Sequence, residues 1–321
     1  MLIAVSTPPA RDTTVEFGFL STVLSLLELS PHPTHFAVVF DASGKTFRHE
    51  LYRGYKGQRP PAPEEVVNAV PVVQELLRAM EITEVRVPGV EADDIIGTLA
   101  GRAIDEGMAV AVASPDKDFF QLLRPGLILL RPPKKNREDV NRYSLVPYSE
   151  DDFAIEWDGL RPDQFVDVLS LMGDSSDNVP GVPGIGPKMV RMVPSSAGGS
   201  SHHQLTRSLV PSFFHRQAIK LMHQFGTLEE VLRRADEAQP KRAATALATE
   251  DALAAARLSK QLVELRTDVD VPSTNVALDT MRLRVPADGG RAAFEMLAEL
   301  EFESHARRLK ALWSLAATPG R

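Results

Sequence analysis

Glu91-Ala92-Asp93-Asp94 sets three carboxylates within four positions, directly after a short apolar stretch. Like charges this close repel, and the arrangement suits a chain that holds a cation there. Acids in the first turn of a helix also offset its macrodipole, so the quartet is expected to open a helix as well. Further acids recur in similar settings. Asp41 closes the apolar run His35–Phe40, Asp116 and Asp118 follow Met108–Ala113, and Asp174 and Asp177 lie in the loop Gly173–Asn178. Together, Asp41, Glu91, Asp93, Asp94, Asp116, Asp118, Asp174 and Asp177 meeting at one mouth would carry a charge that only cations can offset. Oxygen donors without His or Cys favour Mg²⁺, with Mn²⁺ as a substitute. Two such ions, about 3.5–4 Å apart, make a device for hydrolysing phosphodiesters.

Two other stretches carry chemistry. In Gly181-Val182-Pro183-Gly184-Ile185-Gly186-Pro187-Lys188 the glycines allow a hairpin between helices to turn its N–H groups toward a phosphate. Gly181, Gly184, Gly186 and Lys188 thus form a candidate clamp on a DNA backbone, independent of base sequence. Between Thr46 and Pro61, Arg48, Lys56 and Arg59 alternate with Tyr52 and Tyr55. Cations there can pair with phosphates while a ring stacks on an unpaired base.

The elements that position these residues follow from periodicity. Val15–Leu29 has Phe19, Val23, Leu26 and Leu27 at helical spacing. His35–Phe40 is expected to be a buried strand, Arg48–Pro63 a loop or short helices, and Glu64–Met80 a helix that Pro71 kinks or splits. Val85–Val87 is a strand leading into the quartet, whose helix runs to about Asp105 and stops at Gly107. Met108–Ala113 and Leu127–Leu130 are further strands. Strands alternating with helices indicate an α/β fold with a mostly parallel sheet, which binds ligands beyond the carboxyl ends of its strands. After Arg161 the chain is expected to be helical, beginning with Pro162–Met172, except for the Ser/Gly/His-rich Pro194–His203. The segment from Thr267 alternates polar and apolar residues without a clear site.

At 321 residues, 35.2 kDa and 43% hydrophobic residues, the chain can bury a sizeable core and is expected to make two domains. It has no cysteine, which excludes disulfides and thiolate metal sites and fits an intracellular protein. Met1–Asp12 lacks the basic start of a signal peptide, and no apolar run is long enough to span a bilayer. Bacterial cytoplasm and a eukaryotic organelle fit equally. The net charge is −7, yet no acid occurs between Asp177 and Glu229, where Lys188, Arg191, Arg207, Arg216 and Lys220 fall. An acidic centre flanked by basic stretches suits a polyanion brought to metal ions.

Taken together, Val38-Val39-Phe40-Asp41, the run from Phe47-Arg48 through Tyr55-Lys56 to Arg59-Pro60-Pro61, Gly89–Asp94, Asp116-Lys117-Asp118 and Gly173–Lys188 resemble the 5′→3′ exonuclease domain of bacterial DNA polymerase I, a member of the flap endonuclease family. The resemblance covers about Gly18 to Lys188 and resumes from Gln217 to near Arg308. It implies a resolvase- or PIN-like nuclease core over 1–160, a helix–hairpin–helix DNA-binding region over 161–265, and a C-terminal segment, 266–321, packing back on the core. It implies two Mg²⁺ ions, with Glu91, Asp93, Asp116 and Asp118 nearest the hydrolytic centre, Asp94, Asp174 and Asp177 around the second ion, and Asp41 supporting the cluster. Tyr55, Lys56 and Arg59 would serve the gateway for a 5′ single strand, Lys56 steadying the scissile phosphate. The hairpin would grip duplex DNA and hold K⁺ on its carbonyls.

The implied activity is structure-selective, metal-dependent 5′ nuclease action on DNA ends or flaps, as in primer removal and repair, by a monomer acting alone or with a separate polymerase and without a membrane. Two departures stand out. Ser6 follows the first apolar run where the family has a metal-binding aspartate, and Met189–Arg216 intervenes where the family runs directly from hairpin to helix. The second is expected to be a disordered insertion or retained untranslated sequence, and the first an error of the same origin. If Ser6 truly replaces the acid, a catalytically impaired DNA-junction binder is the alternative. A related nuclease acting on RNA is the other.

Overall fold

The computed structural model describes residues 12–133, 145–185, 215–270 and 277–316. Ser6, Gly186, Lys188 and the intervening segment 189–214 therefore lie outside the described residues.

Helix α1 (Thr14–Leu27) buries Leu20, Val23, Leu24 and Leu27, so its core stripe is turned away from the expected Phe19 and Leu26, which are only half-buried. Strand β1 (Ala37–Val39) follows, then the short helix α2 (Phe47–Leu51) in the basic stretch. Helix α3 (Glu64–Ala79) runs unsplit through Pro71. Pro71 and Val67 both face solvent, so water can satisfy the Val67 carbonyl that proline cannot bond. Strand β2 (Thr83–Val85) pairs in parallel with β1, Ala37 opposite Thr83 and Val39 opposite Val85.

Helix α4 (Ala92–Asp105) starts at the acidic quartet with Glu91 as N-cap and Asp93 and Asp94 in its first turn. Gly107, at φ +80°, ends it: Met108 N–H bonds to Ala103 O at 2.9 Å and Gly107 N–H to Ile104 O at 2.8 Å. Strand β3 (Val110–Ala113) leads through Asp116 into a 3₁₀ turn, Lys117–Leu122, and on to β4 (Leu127–Arg131). β3 and β4 are parallel; β5 (Val146–Tyr148), not expected from the sequence, adds to β4 antiparallel. Three residues of Val-Pro-Tyr are too short a run to show alternation. The strands thus form two small sheets, both with a parallel pair.

Helix α5 (Glu150–Glu156) and α6 (Phe165–Met172, after a 3₁₀ turn from Pro162) bring Phe153, Trp157 and Phe165 against Phe120, with Trp157 and Phe165 ring centroids 4.8 Å apart. The same core continues into α7 (His215–Phe225), α8 (Leu228–Arg233), α9 (Lys241–Leu247) and α10 (Glu250–Val263). Helix α7 starts two residues before the expected Gln217. Asp167 on α6 caps the Leu228 N–H of α8 at 2.9 Å and pairs with Lys260 of α10 at 3.0 Å, which fixes these helices against one another. Helices α11 (Arg291–Glu299) and α12 (Glu303–Ala316) pack their Leu297 and Leu309 into a second core with α1 and α3. There the buried Ser21 Oγ meets His305 Nε2 at 2.8 Å. Among the described residues no helix is long and apolar enough to cross a membrane.

Candidate active site

The carboxyl ends of β1, β2 and β3 deliver Asp41, the quartet and Asp116/Asp118 to one side of the sheets, where the loop after α6 brings Asp174 and Asp177. Asp41 accepts the Ala92 N–H at 2.8 Å, so it caps α4 from outside that helix. Asp116 caps the following 3₁₀ turn by accepting the Asp118 N–H at 2.9 Å. The loop 173–181 closes on itself: Asp174 N–H bonds Val179 O at 3.0 Å and Val179 N–H bonds Asp174 O at 2.7 Å.

Glycine is required at the neck of that loop. Gly181 has φ +62°, and a Cβ there would stand 2.3 Å from Gly173 N and 2.5 Å from Met172 C, both backbone atoms. Gly181→Ala is expected to cost at least about 2 kcal/mol from strain and overlap, read by urea unfolding. A variant as stable as wild type would show that the neck opens at no cost.

The basic stretch Thr46–Pro61 folds over the acids. Lys56 sits at φ +52°, a conformation costly for a residue with a Cβ, and its N–H is fixed to Asp177 O at 2.9 Å. That backbone aims its ammonium at Glu91 Oε2, 2.8 Å away, with Asp177 Oδ2 at 3.9 Å. Glu91 also accepts from Thr46 Oγ1 at 2.9 Å and Tyr55 OH at 3.1 Å. Burial alone would push the Glu91 carboxyl up; the Lys56 ammonium, with help from Arg48 and Thr46, outweighs it and holds the group below the ordinary glutamate range. Arg59 donates to Asp177 Oδ1, and Asn178 Nδ2 donates to Gly54 O at 2.6 Å. The basic stretch and the loop 173–181 are therefore bonded into one unit.

Asp93 and Asp118 carry the opposite signature. No donor among the described residues reaches the Asp93 carboxylate. Burial, then Asp116, with Asp41 and Glu91 adding, pushes it to about 7. Burial lifts Asp118 to about 6 against the lowering effect of Lys117, with Asp116, Asp174 and Asp177 adding to the rise. Carboxylates that repel one another this strongly, with only hard oxygen donors, fit a divalent cation. Among the described residues no three acids close into a ready cage. They are turned onto cations of the chain itself: Lys117 on Asp174 and Asp118, Lys56 on Glu91, Arg59 on Asp177.

Four expectations change. Asp94 was expected at the second ion, but both its oxygens are taken by Arg48, at 2.7 and 2.8 Å, and Oδ1 also accepts Arg266 N–H at 2.9 Å. Arg48, expected on DNA, is 1% exposed and donates its remaining bonds to Leu262 O and Glu264 O, each at 2.8 Å. Tyr55 was expected to offer a ring for base stacking, yet it is 4% exposed and packs in the main core. Gly181 N–H does not turn outward; it is buried and donates to Ser259 Oγ at 2.9 Å. Gly184, Lys56 and Arg59 do reach the surface at least in part. Thr46, Ser176, Ser259 and the ammonium of Lys117 were not foreseen. Only Thr46, three residues before His49 at a helix start, carried a readable signal, that of an N-cap.

A family model described as 5′-3′ exonuclease, N-terminal resolvase-like domain, matches residues 3–149, and one described as 5′-3′ exonuclease, C-terminal SAM fold, matches 160–193. The chain belongs to the 5′-3′ exonuclease family. It is 35% identical over 298 residues to DNA polymerase I of Bacillus caldotenax, covering 93% of this chain and 29% of that protein. To the thermostable DNA polymerase I of Thermus aquaticus it is 32% identical over 305 residues, 94% of this chain and 30% of that one. The chain thus spans less than a third of the curated relatives it matches. Among solved structures, the T5 D15 protein co-crystallised with metal ions aligns with a TM-score of 0.57 at 19% identity, covering 89% of this chain and 92% of that one. Flap endonuclease-1 from Methanococcus jannaschii aligns with a TM-score of 0.53 at 17% identity, covering 96% and 84%. The fold of this exonuclease family member is therefore the resolvase-like nuclease fold with a helical, SAM-like C-terminal part.

Proposed function

We propose that the chain is a structure-selective, metal-dependent 5′→3′ exonuclease and flap endonuclease that hydrolyses DNA phosphodiesters, as in primer removal and repair. The observation that carries this reading is the meeting of Glu91, Asp93, Asp116, Asp118, Asp174 and Asp177, from three separate stretches of chain, beneath the Lys56 and Arg59 cations. Family membership supports it, and so do the metal ions in the T5 D15 crystals.

In this reading Asp93, Asp116 and Asp118 hold one Mg²⁺ and Asp174 and Asp177 the other, with Glu91 and Asp41 around them; Mn²⁺ can replace either. Bound there, the ions supply a hydroxide at neutral pH and offset charge on the phosphate. The residues of the chain do the positioning. Lys56, locked by its left-handed backbone, presents its ammonium to a non-bridging phosphate oxygen next to the acids. Arg59, half-exposed at the rim, attracts the incoming strand. The Tyr55 hydroxyl holds Glu91 and Asp177 at 3.1 and 3.3 Å and keeps the floor of the gateway rigid. The hairpin beginning at Gly181 grips duplex phosphates through Gly184, Gly186 and Lys188, with K⁺ on its carbonyls. The core is 1–160, the DNA-binding helical region 161–265, and 266–321 braces the core. The chain acts as a monomer on DNA with 5′ ends or flaps.

The test is a labelled 5′-flap duplex with Mg²⁺, run beside single-stranded RNA. Cleavage near the flap junction is expected. Binding without cleavage would make the chain a junction binder instead, and cleavage of RNA alone would make it a ribonuclease.

A further inference from the structure

We infer that the Lys117 ammonium is an internal counter-ion, holding the place of a divalent cation between Asp118 and Asp174 and leaving it when that cation arrives. The inference rests on the reading of these acids as a metal centre.

Lys117 stands in the chain between two candidate ligands, Asp116 and Asp118, at the start of the 3₁₀ turn. Its Nζ donates to Asp118 Oδ1 at 3.4 Å and, across the site, to Asp174 Oδ2. The other oxygen of Asp174 is already engaged by Ser176 N–H at 2.8 Å and Ser176 Oγ at 2.5 Å. Oδ2 is therefore the oxygen left to ligate a metal, and the ammonium sits on it. An ammonium and a dication on one carboxylate oxygen would be a few ångströms apart, where their repulsion in a half-buried site far exceeds thermal energy.

Lys117 pairs with both Asp118 and Asp174, so one cation is shared between two carboxylates of the site. Lys117 thus offsets the repulsion that would spread the metal-free acids. It differs from Lys56, whose backbone is pinned to Asp177 O. The Lys117 side chain is 30% exposed on a four-carbon stem, so its head can swing into water while the turn stays in place. An ion entering the site must displace it, and the affinity of the site is lower than its donor set alone would give.

The test uses the full chain without DNA. Mn²⁺ is titrated calorimetrically into wild type and Lys117→Met, and thermal unfolding is followed with and without Mg²⁺. Expected are a tightening of Mn²⁺ binding by about 10-fold, the scale set by groups that contact metal ligands, a lower metal-free melting temperature, and a larger rise on adding Mg²⁺. Lys117→Gln, which keeps a donor without the charge, gives the same sign with a milder loss of stability. Lys117→Arg, which keeps the charge, binds Mn²⁺ like wild type. Equal or weaker Mn²⁺ binding by both neutral variants, beside normal binding by wild type, would overturn the counter-ion and leave the metal centre standing. Absence of Mn²⁺ binding in wild type would overturn both.

Discussion

Asp93→Ala is expected to lower Mg²⁺-dependent flap cleavage by about 100-fold or more while leaving DNA binding in EDTA unchanged. Asp93 stands in the first turn of α4, half-buried and facing Asp116, and no donor among the described residues reaches it. A carboxylate placed so has no structural partner to lose. Its removal also relieves repulsion at Asp116, so the metal-free variant should melt at the wild-type temperature or above it. That combination separates a lost metal ligand from a damaged fold. Cleavage at the wild-type rate would put the metal centre elsewhere, and a lower metal-free melting temperature would make Asp93 a structural residue.

Arg48→Met is expected to destabilise the protein by about 3–5 kcal/mol, because it leaves the Asp94 carboxylate buried without its cation. Asp94 is 1% exposed, and Arg48 ties it to the Leu262 and Glu264 carbonyls at the C-terminal end of α10. Among the described residues, Arg266 N–H, from the same stretch, remains as its one other donor, at 2.9 Å. Burial works to lower the pKa of the Arg48 guanidinium, yet the bond and charge of Asp94 outweigh it and raise it. The double variant Arg48→Met/Asp94→Leu should recover much of the loss, since an apolar pair of similar volume needs no compensation. Urea unfolding of the four proteins reads the coupling. A loss below about 1 kcal/mol in Arg48→Met, the scale of an exposed ion pair, would show that Asp94 is hydrated or protonated instead.

The same pair marks where reading the chain alone ran out. Arg48 lies among Lys45, Arg53, Lys56 and Arg59, and composition makes all of them candidate phosphate contacts. Nothing in that run distinguishes the one that turns inward. Tyr55 is similar: a tyrosine beside a lysine suits base stacking, yet its ring completes the main core and its hydroxyl is spent on Glu91 and Asp177. Gly181 was recognised as a turn residue, but what demands it is the contact with Gly173, eight positions away and closed by the Asp174–Val179 bridge.

What the sequence determined by itself was local. Alternation of apolar strands with amphipathic helices, the stop at Gly107 and acids opening α4 depend on neighbours a few positions apart, and these placed every acidic cluster at a strand end or in the loop after α6. Glu91 and Asp93 were legible as candidate site residues for that reason, and so was Asp94, which the fold instead gives to Arg48. Tertiary structure alone decided how those acids divide: Asp94 to Arg48 and the core, Glu91 to Lys56, Asp174 to Lys117, and Asp93 to no ion pair among the described residues. Those partners lie 46, 35 and 57 positions apart, and Coulomb energies and hydrogen bonds depend on distance in space, which spacing along the chain does not encode.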